Sequence, residues 1–224
     1  MKITAVIPIR KGSERVKDKN LKPFGDTTLL ENKIQILKKV SKIDEIIVNT
    51  DSDVAIQIAK SLGVSFHRRD EYYASSKCTN SEFLEHLGKV TETDLFAYCP
   101  CTSPFISEIT ISKAITKFVS SPDNDSLATV NKVKEFLWLN DNPINYERSK
   151  QPNSQNLPDI FALNFGLNLI KRKDLIKHKN IVGTTPLFEI VDELEGIDID
   201  TSFDFFLAEQ VYNKLKNEPN FFTK

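Results

Sequence analysis

Cysteine is scarce: Cys78, Cys99 and Cys101 are the only three in 224 residues. Their odd number and the lack of C-x-x-C spacing argue against a disulfide framework or a structural zinc site, and Cys99 and Cys101 are expected to pack in the core. His67, His86 and His178 are equally scattered. An excess of one charge is also missing, with 30 Lys plus Arg against 31 Asp plus Glu and a formal net charge of -1. No global field would draw such a chain onto nucleic acid or an anionic membrane, so any phosphate binding must be local. Long hydrophobic runs are absent. The opening Lys2-Ile3-Thr4-Ala5-Val6-Ile7 is far too short to span a bilayer and lacks the small-residue cleavage site of a secretory signal, so a cytoplasmic location is expected. Neither G-x-G-x-x-G nor G-x-x-x-x-G-K-[ST] occurs, which removes the main support for an NAD-linked oxidoreductase or a P-loop enzyme.

What the chain does contain is alternation. Its length suits one domain, residues 1-224, with a full hydrophobic core. Short β-rich runs at 3–9, 45–49, 64–67, 95–99 and 126–131 alternate with amphipathic segments at 29–40, 54–62, 79–90 and 107–119, which predicts an α/β fold with a mostly parallel sheet. Thr79-Asn80-Ser81-Glu82 has the spacing of a capping box, and Asp51 is expected to cap the helix after the second strand. From Pro143 to Pro158 the composition turns to Asn, Gln, Ser, Lys and Pro without periodicity, marking an exposed arm or active-site loop. Strands follow at 160–170 and 197–199, then a helix over 202–215 capped by Ser202 or Thr201.

Two segments carry chemistry. The loop after the first strand, Arg10-Lys11-Gly12-Ser13-Glu14-Arg15-Val16-Lys17-Asp18-Lys19-Asn20, concentrates cations around Gly12 and Ser13 in a neutral protein. It lies at the carboxyl edge of the sheet, where open α/β folds bind ligands, and a triphosphate needs such flexible N–H donors and fixed cations. A charge run alone is as often solvated surface. Near the other end, Ile197-Asp198-Ile199-Asp200 alternates, so a short strand would turn both carboxylates to one face. Magnesium on substrate phosphates is commonly held by one or two carboxylates with water; the alternative is two polar residues on an edge strand. Thr79 and Asn80 sit at a helix start whose free N–H groups suit an anionic or ribose-bearing ligand.

The first segment, reading I-P-I-R-x-G-S-x-R-x-x-x-K-N-x-K-P-F, resembles the amino-terminal signature of the acylneuraminate (CMP-sialic acid synthetase-like) cytidylyltransferases, with CMP-KDO synthetases as more distant relatives. I-D-I-D-T followed by a helix is similar to the closing motif of the same family, so the two ends cover nearly the whole chain. The resemblance implies a three-layer Rossmann-like nucleotide-diphospho-sugar transferase fold with a small protruding dimerisation and sugar-binding arm at about 132-170. It implies a homodimer whose arm reaches the partner. It also implies transfer of CMP from CTP to an acidic 2-keto sugar, with magnesium as cofactor on Asp198 and Asp200. Arg10 and Ser13 would then touch the nucleotide, Lys19 would stabilise charge on the phosphates, and Asn20 would support the loop. Val48-Asn49-Thr50-Asp51 resembles the family's V-S-T-D, and Arg69, or Arg68 in another register, matches an arginine that contacts CTP, with Asn80 beside the base.

Departures are confined to the middle of the chain. In Pro100-Cys101-Thr102-Ser103-Pro104-Phe105-Ile106 only Thr-Ser-Pro is retained of the family's Q-P-T-S-P-L-R, so base or sugar recognition does not carry over at Pro100 and Ile106. Where the family reads Q-P-R against the sugar carboxylate, this chain has Asn153 after the proline, leaving Arg148 or Lys150 as the cation. Asn164 matches a family position that contacts the sugar. An octulosonate acceptor, another nonulosonate such as pseudaminic or legionaminic acid, and a non-catalytic nucleotide-sugar-binding module remain as alternative expectations.

Overall fold

The computed structural model describes residues 1–12, 16–219 and 221. The chain opens with β1 (Ile3–Ile9), then forms a small hairpin of β2 (Pro23–Phe24) and β3 (Thr27–Thr28) that leads into α1 (Leu29–Lys38). The capping box of Thr28 and Glu31 starts that helix. Next come β4 (Glu45–Thr50), α2 (Asp53–Ser61), β5 (Ser65–Arg68), the single turn α3 (Glu71–Ala74) and α4 (Asn80–Val90). The second half holds β6 (Leu95–Tyr98), α5 (Glu108–Val119), β7 (Ser126–Val133), a two-stranded hairpin of β8 (Trp138–Leu139) and β9 (Asn142–Pro143), and β10 (Ile160–Lys171). It closes with α6 (Arg172–His178), β11 (Pro186–Ile190) and α7 (Ser202–Asn217).

Seven strands form one sheet in the order β11-β7-β10-β6-β1-β4-β5. All pair in parallel except β10, which runs antiparallel to β6 and β7. The expected mostly parallel α/β architecture is therefore present. Its centre is apolar on both faces, as a sheet covered by helices requires: Ala5, Val6, Ile7, Phe96, Ala97, Leu167 and Leu169 are wholly buried. Each fully buried Leu, Ile or Phe contributes about 1.5–3 kcal/mol, which fixes the strand ends that carry the site.

Several expectations are corrected. Ile197–Asp200 is not a strand; a turn leads into it, and one backbone bond, Ile199 N–H to the Thr102 carbonyl at 2.8 Å, ties it to the loop after β6. The alternation still sorts the side chains, since Ile199 is fully buried and the two aspartates are half-buried. Asp51 does not cap α2; Ser52 does, accepting from Ala55 N, and the Asp51 carboxylate accepts the Lys11 N–H at 2.7 Å instead. β11 and α6 are additional elements that the hydrophobic pattern does not announce. The stretch 132–170 divides: residues 134–159 leave the sheet as an arm, whereas Gly166–Ile170 is buried within it.

Candidate active site

The carboxyl ends of β1, β5 and β6 open onto one cavity of about 590 Å³, a size that accommodates a nucleotide. Its walls include Arg10, Lys19 and Asn20 from the first loop, Arg69 from beyond β5 and Asn80 at the start of α4. These five residues, separated in sequence by up to seventy positions, are the expected nucleotide contacts, and the fold brings them together. Gly12 adopts φ +75 in the exposed part of the loop, a conformation that disfavours any side chain. Ser13 lies outside the described residues. α4 begins with the expected capping box of Thr79 and Glu82, and both Thr79 and Asn80 face the cavity.

Lys19 joins the two ends of the chain. It is 7% exposed, and its Nζ donates to the Ile199 carbonyl and lies 4.0 Å from Asp200 Oδ1. The basic loop and the acidic segment are thus held side by side across 180 residues. Beside them Thr102, a cavity residue, accepts from Ile199 N through its carbonyl, and its side chain faces the Asp198 carboxyl closely enough to favour the charged form. Burial raises the Asp198 carboxyl above its ordinary value, the Thr102 side chain opposes that shift, and Asp200 adds to it. Asp198 Oδ1 is buried and has no hydrogen-bond partner. A half-buried carboxylate with an orphaned oxygen next to a second carboxylate fits a divalent cation that takes its remaining ligands from phosphate and water. Among the described residues no group of three or more His, Cys, Asp or Glu could enclose a metal without such help.

Arg69 is clamped rather than mobile. Its Nε donates to Asn49 Oδ1 at 2.6 Å, an Nη donates to the Asn49 carbonyl at 2.9 Å, and the guanidinium lies 4.2 Å from the Phe83 ring centre. Burial pulls its pKa down to about 10, which leaves it charged at neutral pH. Arg68 is exposed and pairs with Asp53 at 2.5 Å, so the register with Arg69 at the site is the one adopted. Tyr73, Phe83, Tyr98 and Thr102 at the cavity and Asn49 behind Arg69 were not singled out, although Thr102 lies in the retained Thr-Ser-Pro and Asn49 in the segment that resembles V-S-T-D.

The expected sugar contacts are elsewhere. Arg148 is exposed on the arm, where it donates to the Asp141 carbonyl at 2.9 Å and stacks 4.9 Å from the Trp138 ring centre. Lys150 is exposed nearby, its N–H bonded to the Glu147 carbonyl. Asn164 is buried in the β7–β10 bulge: its Oδ1 accepts from Thr129 Oγ1 at 2.6 Å and Gly166 N at 3.0 Å, and its Nδ2 donates to Asn131 Oδ1 at 2.8 Å. None of the three lines the cavity. Of the departures, Pro100 does line it and Ile106 is core. Cys99 and Cys101 are buried, and burial pushes both thiols up to about 12, so they pack as expected and are inert.

Fold and site define an α/β protein of Rossmann-like architecture with a nucleotide-sized cavity at the carboxyl edge of its sheet. CMP:2-keto-3-deoxy-manno-octonic acid synthetase with CTP shares the fold at TM-score 0.70 and 15% identity, over 96% of this chain and 99% of that one. 4-Diphosphocytidyl-2C-methyl-D-erythritol synthase from Anaerococcus prevotii does so at TM-score 0.70 and 15% identity, over 95% and 96%. The cytidylyltransferase family model matches residues 4–181, and the chain belongs to that family. The N-acylneuraminate cytidylyltransferase of Escherichia coli is 27% identical over 95% of this chain and 52% of its own length. The CMP-N,N'-diacetyllegionaminic acid synthase of Legionella pneumophila is 28% identical over 94% and 96%, and the post-translational flagellin modification protein B of Campylobacter coli 25% over 92% and 93%. The chain thus spans about half the length of the Escherichia coli relative and nearly all of the other two.

Proposed function

We propose that this protein is a magnesium-dependent cytidylyltransferase that transfers CMP from CTP to the anomeric hydroxyl of an acidic 2-keto sugar and releases pyrophosphate. The observation that carries the reading is the junction of Lys19 with the Ile199–Asp200 segment at the edge of the cavity that also holds Arg10, Arg69 and Asn80. Lys19 and Arg10 meet the phosphates and offset the charge that accumulates as pyrophosphate departs. Asn80 and Arg69 orient the nucleoside end. Asp198 and Asp200 would hold the metal, which when bound supplies Lewis-acid polarisation of the phosphate oxygens. The hydroxyl oxygen forms its bond to the α-phosphorus in line with the breaking bond to the pyrophosphate oxygen.

The two relatives matched over nearly their full length are named for flagellin modification and for CMP-diacetyllegionaminic acid, so a nine-carbon diacetamido acid is the first acceptor to test. A homodimer is part of the proposal. Leu163, Val130 and Ile190 stand in one register row across β10, β7 and β11, and with Phe161 and Phe188 they place an apolar patch on one sheet face. Phe161, Leu163, Phe188 and Ile190 are 38–53% exposed there, as an uncovered interface would be. The described residues contain no helix long and apolar enough to cross a membrane, and the cytoplasm, where CTP is available, is the proposed compartment.

Pyrophosphate release with magnesium and CTP, ATP, GTP or UTP, each against eight- and nine-carbon keto-sugar acids, tests the assignment, with Asp200→Asn alongside. Release with CTP and one acid, lost in the variant, supports it. CTP binding without release with any acid would favour a non-catalytic nucleotide-sugar-binding module.

A further inference from the structure

The clamp on Arg69 continues one residue further. Asn49 on β4 and His67 on β5 are register partners, and Asn49 Nδ2 lies 2.9 Å from His67 Nδ1. The amide orientation follows from its other bond: Arg69 Nε–H is only a donor, so the Asn49 atom 2.6 Å from it is the oxygen, and the atom facing His67 is the NH₂. His67 Nδ1 must then accept, which requires a neutral imidazole with its proton on Nε2. A proton on Nδ1 would set donor against donor. Relief by flipping the amide would turn NH₂ toward Arg69 Nε and remove that acceptor from a buried guanidinium.

We propose that Asn49 and His67 are positioning residues for Arg69, and that the neutral state of His67 keeps the guanidinium aimed at the nucleotide cavity. The charged and titratable groups facing His67 are Arg69 and Asp70, which follow it in the chain, and His86 on α4, whose ring lies 5.8 Å away and stacks on Tyr73 at 3.6 Å. Burial, the largest influence, and Arg69 hold His67 below its ordinary value, and Asp70 opposes them. Burial likewise lowers His86, whose Nε2 is buried without a partner. The structural coupling stands by itself. Its effect on nucleotide binding rests on the function proposed above.

The test has two readouts. Proton–nitrogen NMR of the whole protein, with Arg69 Nε–H assigned through Arg69→Lys, follows the His67 and His86 rings and the Arg69 signal from about pH 8 to 5. The coupling requires an Nε2–H tautomer at His67 and an Arg69 Nε–H signal that shifts or broadens with the midpoint of His67, not of His86. In Asn49→Asp, whose carboxylate accepts from both neighbours, the Arg69 signal should stay while His67 titrates at higher pH. An Nδ1–H tautomer, or an Arg69 signal indifferent to His67, overturns the proposal. The second readout is CTP affinity relative to His67→Gln, which keeps an acceptor for Asn49 but cannot titrate; the ratio removes the triphosphate's own protonation. A charged hydrogen bond lost from the clamp predicts that the wild-type-to-variant ratio falls about tenfold on acidification. A constant ratio contradicts the binding consequence. No CTP binding at any pH, with the NMR coupling intact, would discard the nucleotide reading while leaving the clamp.

Discussion

Lys33 lies wholly inside the protein, in α1, where its Nζ donates to the Ser103 carbonyl at 2.7 Å. Next to it Asn32 Nδ2 donates to the Pro104 carbonyl at 2.9 Å, so α1 grips the loop that carries Thr102 and, through the Ile199 N–H bond to the Thr102 carbonyl, the acidic segment. Burial pulls the Lys33 pKa from 10.5 to about 8, against which nearby Cys99, Cys101 and Glu195 act weakly. That displacement corresponds to about 3 kcal/mol of folding free energy opposed by the buried ammonium. The depressed folded value means the unfolded state binds the proton more tightly. The cost is therefore full below about pH 8 and disappears as pH rises toward 10.5. Lys33→Met removes the charge but strands the Ser103 carbonyl, at about 1–3 kcal/mol. At neutral pH the variant should be as stable as wild type or slightly more so, and above about pH 10.5 less stable by about 2 kcal/mol. Urea unfolding of both proteins across this range measures the difference, in which groups common to both cancel. A stability difference that does not change with pH would refute the buried ammonium. Turnover should fall in the variant at every pH, because the grip on the Thr102 loop is lost.

Asp198→Asn should raise the metal-free melting temperature at neutral pH, since a carboxyl whose folded pKa is raised opposes folding above that value, and the gain should vanish at pH below the ordinary carboxyl range. Magnesium should raise the melting temperature of wild type and not of that variant; the reverse pattern would remove Asp198 from the metal site. Glu189 is 5% exposed at its side chain and is held by Lys113 at 2.5 Å and Lys117 at 2.9 Å, both much more exposed. Replacing both lysines by Met leaves a buried carboxylate unpaired and should cost about 1–3 kcal/mol in chemical denaturation, whereas Glu189→Gln, which leaves solvated ammoniums, should cost less. Phe161→Lys with Ile190→Lys should convert a dimer to monomer in light scattering without unfolding it, because both side chains are exposed within one chain; a dimer that survives would move the interface elsewhere.

The features legible in the sequence are local or carried by motif. The capping box of Thr79 and Glu82 needs only four residues, and the gathering of Arg10, Lys19, Asn20, Arg69 and Asn80 follows from strand ends meeting at one edge. β11 escaped notice because Pro186–Ile190 is a short edge strand with one buried residue, Glu189, so it lacks an apolar period. α6 buries only Leu175. The acidic segment alternates like a strand, yet no strand ladder forms along it: Ile197 N bonds back to the Leu194 carbonyl and Ile199 N to the Thr102 carbonyl of the loop after β6. Asn164 matched a ligand position, but its amide is engaged inside the β7–β10 bulge, a partnership set by register. For the same reason the V-S-T-D resemblance points to the Asn49 strand end but not to its partnership with His67, which depends on which residue of β5 lies opposite.

The most direct test of the central claim is phosphorus NMR of the protein incubated with magnesium, CTP and a nine-carbon diacetamido keto-acid. A new phosphodiester signal should grow in step with pyrophosphate as the three CTP signals decline, with none of this in Lys19→Met. Pyrophosphate with CMP in place of a phosphodiester, or unchanged CTP with every acid tried, would contradict transfer to a sugar.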